Sequence, residues 1–234
     1  MGRSATRVSG GDGKRLLHFP PSPSGMEPLP LRAVIPGLVL ILGVDLAAMA
    51  GAPGILGPLL GAWSLVAAIL PWATILVLRR RPSSLGYVRG RWPAEYGWGM
   101  VAGAAWRGLS MGFSALWASA SFSPWLRSAA ELGFPAAGLL GGLVWVPLVE
   151  ETFFRGYLGP ALATRLGRWP GILTQAVLFA LHPGHWAQGW PALAGIFAFG
   201  VLAGCLVEAR RTIWIGWGAH GFANVLPSLL ALFA

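Results

Sequence analysis

Two adjacent carboxylates, Glu150 and Glu151, stand inside an apolar stretch, and Arg155 follows the second at a spacing of four. Ionisable groups in such a stretch cost a few kcal/mol or more each, so each needs a partner or a task. Successive helical residues lie about 100° apart, so the two carboxylates cannot share a face. Glu151 and Arg155 do share one, with the acid first, which is the favourable order for an ion pair. That pairing leaves Glu150 free as a candidate general base that takes a proton from water. Two further groups have types suited to the same chemistry. His182 closes an apolar run, and His185 follows Pro183 beside Trp186 and Gln188, in what reads as an interfacial loop. His220 and Asn224 are four apart and lie on one helix face. Two such hydrogen-bonding groups stacked in hydrocarbon need partners. Taken singly, each cluster has a plain structural reading: a buried ion pair, a packing or interface histidine, a hydrogen bond between helices. Taken together, Glu150, His182 and His220 fall at depths of roughly 12–22 Å, counted from the nearest basic ends of their stretches at 1.5 Å per residue.

The elements that must position them are apolar helices. The chain has 234 residues, 55% of them hydrophobic and 11% charged, and a soluble domain usually carries ~25% charged residues. Seven stretches approach the length of about 20 residues needed to cross a bilayer. They are 31–50, 56–78, 94–120, 134–163, 171–187, 190–208 and 213–233, the fourth with a kink at Pro147 or a break near Gly156. With the N-terminus in the cytoplasm, fourteen basic residues flank the inner ends, among them Arg79, Arg80, Arg81, Arg165, Arg168, Arg210 and Arg211, against Arg127 alone outside. That asymmetry follows the positive-inside rule. The expected fold class is an all-α polytopic transmembrane bundle of about seven spans. The pairs Gly57/Gly61, Gly99/Gly103, Gly108/Gly112 and Gly200/Gly204 have the small-residue spacing that lets helices approach closely.

Segment 1–30 is polar, rich in Ser, Gly and Pro, and reads as a disordered cytoplasmic tail, not a cleavable signal peptide. The net charge of +9 is distributed by topology and does not form a nucleic-acid face. The single cysteine, Cys205, can form no intramolecular disulfide and reads as a helix-packing residue.

The string EETFFRGYL at Glu150–Leu158, the run ending in His182, and HGFAN at His220–Asn224 resemble the CAAX-protease and bacteriocin-processing family of intramembrane endopeptidases, over about residues 135–230. The resemblance implies an N-terminal helical half (31–130) and a catalytic core (131–234). It implies that Glu150 activates water, that His182 positions that water or the oxyanion, and that His220 and Asn224 polarise the scissile carbonyl. Glu151 and Arg155 would be supporting residues. The family's second motif has Phe four residues before its His; here Leu178 holds that place, Phe179 is three before His182, and His185 is the reserve candidate. The implied reaction is peptide-bond hydrolysis in a membrane-associated protein or peptide, with no cofactor. Zinc held by Glu and two His is the alternative, although there is no HExxH spacing. The Gly-, Ala- and Arg-rich composition points to a bacterial inner membrane. Competing readings are a non-catalytic bacteriocin-immunity or scaffold protein of the same fold, and a proton-relay transporter, the latter disfavoured by the lack of an inverted repeat.

Overall fold

The computed structural model describes residues 26–50, 56–117, 136–182, 185 and 190–231. Most of the expected tail, Arg127, and the turn 183–189 apart from His185 lie outside the described residues. Those residues form helices with no strand among them. In chain order these are α1 (Leu31–Ala50), α2 (Leu56–Val77), α3 (Trp92–Trp117), α4 (136–166), α5 (Arg168–Ala180), α6 (Trp190–Arg210) and α7 (Trp214–Ala231), with a short 3₁₀ turn at Pro82–Leu85 between α2 and α3. Each falls within a few residues of a stretch anticipated from apolar length. The fifth departs most: it begins at Arg168 and ends at Ala180, a 13-residue helix.

The central element is α4. From Val149 to Leu158 every residue is buried, and α1, α2, α5, α6 and α7 all touch this part of it. Neither Pro147 nor Gly156 breaks the helix. It widens instead into π-helical turns at Gly141–Trp145 and Glu151–Leu158. Widened turns of this kind leave backbone carbonyls without their usual partners and recur at functional sites. The first is where α7 docks. Trp217 Nε1 donates to Leu143 O at 3.2 Å and Asn224 Nδ2 to Gly142 O at 3.3 Å, so side chains satisfy acceptors that the ladder does not.

Glycines set the closest helix contacts. A Cβ at Gly99 or Gly103 of α3 would overlap the carbonyl oxygens of Ile215 and Ala219 on α7, and one at Gly218 would overlap that of Tyr96. Helices α3 and α7 therefore meet backbone to backbone, and Arg107 Nε adds a 2.7 Å bond to Ala223 O. Gly200 and Gly204 of α6 rest in the same way on Ala176, Ile172 and Gln175 of α5. Among the described residues, a Cβ at Gly61, Gly108 or Gly112 would meet nothing within 4 Å, so the Gly108/Gly112 spacing marks no contact there.

The exterior is apolar. Val39 and Leu46 on α1, Ile69 and Leu76 on α2, Leu109 and Phe113 on α3, and Leu173 and Val177 on α5 are all exposed. By length and composition, one described stretch, Ala192–Arg210, suffices to cross a membrane, and Gly61–Val77 is a shorter apolar helix. Charges gather at helix ends. Arg210 grips Glu95 through two bonds of 2.9 and 2.8 Å, and Arg91 joins them at 2.6 Å. The 3₁₀ turn is held to the start of α7 by Gly86 O, which accepts from Ile213 N at 3.0 Å and Thr212 Oγ1 at 3.1 Å. Gly156 packs on the carbonyl of Leu85 in that turn, so the linker braces the π-helical segment from outside.

Candidate active site

Glu151 and Arg155 form the anticipated ion pair, Nη1 to Oε1 at 3.0 Å, with side chains 0% and 1% exposed. The guanidinium also lies over the Phe179 ring, 4.1 Å from its centroid, a cation–π contact in a water-poor setting. Glu151 Oε1 takes a second bond, from His220 Nδ1 at 2.8 Å. A carboxylate only accepts, so His220 carries its proton on Nδ1 and presents Nε2 to the far side of the ring. That far side faces Glu150: Nε2 lies 3.7 Å from Glu150 Oε2. The two carboxylates thus flank one imidazole, and Glu150 Oε2 is buried with no hydrogen-bond partner among the described residues.

A second imidazole approaches the same oxygen. His185 Nε2 lies 3.9 Å from Glu150 Oε2, while its Nδ1 bonds Phe179 O at 2.7 Å. A carbonyl also only accepts, so His185 too has its proton on Nδ1 and turns Nε2 inward. Gaps of this size are too long for direct hydrogen bonds, and a water bonded to both sides can bridge them. His182, the first choice on sequence, is buried one step back. Its ring packs against Trp63 at 3.8 Å between centroids and against His185 at 5.2 Å. Asn224 is on the His220 face of α7, one turn on, with its amide donated to Gly142 O. The structure thus brings Glu150, His185 and His220 together around one oxygen, with Glu151 and Arg155 behind His220.

Sequence reasoning overlooked three groups. Trp63 of α2 touches His182, Phe153 and Phe154, and nothing in an apolar stretch marks one Trp as special. Asp45 is buried in α1 with Oδ1 unpartnered among the described residues, although a lone acid in an apolar run is a readable signal. Tyr87, in the linker, donates to Thr152 Oγ1 at 2.6 Å, because the Thr152 hydroxyl donates its own hydrogen bond to Leu148 O. Burial pushes the Tyr87 phenol up to about 12, which keeps it a donor.

Residues 132–226 match the family model described as Rce1-like, type II CAAX prenyl endopeptidase. Over this segment the chain is similar to the CAAX-protease family. The match takes in α4 to α7 and all three motifs, and the family is one of endopeptidases. Helices α1 to α3, with Trp63 and Asp45, lie outside it. No curated protein and no solved structure matches the chain. Among the described residues no three His, Cys, Asp or Glu groups are placed to hold a metal ion.

Proposed function

We propose that the protein is an intramembrane endopeptidase in which Glu150 activates a water for attack on a peptide bond of a membrane-associated substrate. The observation that carries this reading is the unpartnered Glu150 Oε2, buried between two inward-turned imidazole nitrogens at 3.7 and 3.9 Å. A buried carboxylate oxygen without a partner costs stability, and a water held among these three groups repays it. Glu150 takes a proton as the water oxygen bonds the scissile carbonyl carbon, and the resulting carboxylic acid returns that proton to the departing amine. His185 orients the water through Nε2. His220, with Nδ1 fixed on Glu151, donates from Nε2 to the developing oxyanion when protonated, and Asn224 supplies a second donor beside it. With His220 protonated, Glu150, Glu151, Arg155 and His220 sum to zero charge, so the relay adds no net charge to the interior. Each of these roles belongs to the chain's own groups, with no cofactor.

The bundle's apolar exterior supports a bilayer location, because exposed faces this rich in Leu, Val, Ile and Phe suit lipid and not water. The basic residues near one pole support a cytoplasmic side for that pole and for the N-terminus, in a bacterial inner membrane, under the positive-inside rule. Peptide and protein substrates anchored in the membrane fit this placement. The test is a comparison of membrane peptidomes from cells making the wild type or Glu150→Gln. An endopeptidase gives at least one precursor that accumulates in the variant together with a new terminus that disappears. Identical peptidomes, with both proteins present at equal levels, would refute the reading.

A further inference from the structure

On the other side of Arg155 from Glu150's hollow lies a second concavity, between α4, α5 and α6. The space in it that a water can occupy is about 20 Å³, above the roughly 10–15 Å³ a water needs. Arg155 and Gln175, 2% and 1% exposed, line its depth, and Ala163, Gly204 and Glu208 line its walls and rim. Both deep residues bring unused polar atoms. Among the described residues, Arg155 Nε and Nη2 are buried donors without partners and Gln175 Oε1 is a buried acceptor without one. The Gln175 amide is fixed in this sense because its Nε2 donates to Gly200 O at 2.9 Å. Glu208 at the rim is held by Arg211 at 3.1 Å, and Arg211 also bonds Met26 O at 2.9 Å, so the mouth is at the pole that carries the basic residues.

The chemistry of the lining selects the occupant. It must accept from a guanidinium and donate to an amide oxygen, in a space bounded by small residues. An anion would meet the Gln175 oxygen and the Glu208 carboxylate, and a cation would meet Arg155. Water meets both requirements. We propose that this cleft is a hydration site open to the cytoplasmic pole, whose water completes the hydrogen bonding of Arg155 and so keeps Glu151 and His220 aligned on Glu150. The proposal rests on the hydrolase reading for its effect on catalysis, but its first test does not.

In sealed vesicles of full-length protein carrying Cys205→Ser, Val207→Cys places a thiol on the cleft lining. Ala203→Cys, buried on the same helix and outside the lining, is the control. A small membrane-impermeant methanethiosulfonate reacts with the first about tenfold faster than with the second when the cleft holds water; equal rates overturn the proposal. The second test is Ala163→Leu, which fills the cleft with apolar volume. Cleavage slows about tenfold in kcat with KM held, because Arg155 loses its third partner, and reaction at Val207→Cys slows with it. An unchanged kcat overturns the link to catalysis. If the wild type cleaves nothing while the labelling difference stands, the protease reading has failed and the cleft has not.

Discussion

Arg155→Met would break the buried pair that holds His220 and leave everything around it in place. The perturbation removes the 3.0 Å bond to Glu151 Oε1 and the cation 4.1 Å above the Phe179 ring, and Met is close to Arg in length. Glu151 is then a carboxylate with 0% side-chain exposure and one remaining neighbour, the His220 ring. Removing one partner of a buried pair costs about 3–5 kcal/mol, because the other charge is stranded without water or counter-charge. A chain of this size loses roughly 2–4 °C of melting temperature per kcal/mol, so the expected fall is about 6–20 °C. The double variant Glu151→Gln/Arg155→Met removes both charges and keeps an acceptor for His220 Nδ1. It should melt above Arg155→Met, with a coupling of about 1–3 kcal/mol in the double-mutant cycle. Intrinsic tryptophan fluorescence in detergent reads both. A fall under about 3 °C for Arg155→Met, or a double variant that loses the sum of the two singles, would refute the reasoning that burial makes this pair all-or-none.

Other outcomes follow from single contacts. Gly103→Leu should fail to fold or melt far lower, since its side chain would enter the Ala219 backbone, whereas Gly108→Ala, with open space around it, should melt unchanged or slightly higher; melting curves compare them. His185→Ala should lower kcat more than His182→Ala, because His185 Nε2 faces Glu150; a reversed order would assign the second-motif role to His182. Tyr87 has its pKa raised by burial from its ordinary value near 10 to about 12. Its stabilising effect is therefore full below pH 10 and lost as pH rises toward 12. The wild type should lose about 2–3 kcal/mol more than Tyr87→Phe across that window, and parallel losses would contradict this.

The sequence carries most of the helix plan, because apolar length and charge sidedness are one-dimensional signals. The 20-residue α1 and the α4 motif fall where they are read. The Glu151–Arg155 pair is legible because a spacing of four works in a helix of either pitch. What stays hidden is what depends on three-dimensional contact. The π-helical turns have no composition signature, so the docking of Asn224 onto Gly142 O is not visible in HGFAN. The choice between His182 and His185 turns on how the chain bends after Ala180, where periodicity ends. The Gly99/Gly103 and Gly200/Gly204 spacings are contacts and Gly108/Gly112 meets nothing among the described residues, and only the facing residues decide which.

The most direct measurement is single-turnover cleavage by protein reconstituted in proteoliposomes, using a substrate found by the peptidome comparison, for wild type and Glu150→Gln. The account predicts a rate lower by about 10²–10⁴-fold in the variant, the range for loss of a general base, with substrate binding and melting temperature held. A Glu150→Gln protein that cleaves within tenfold of the wild-type rate would contradict it.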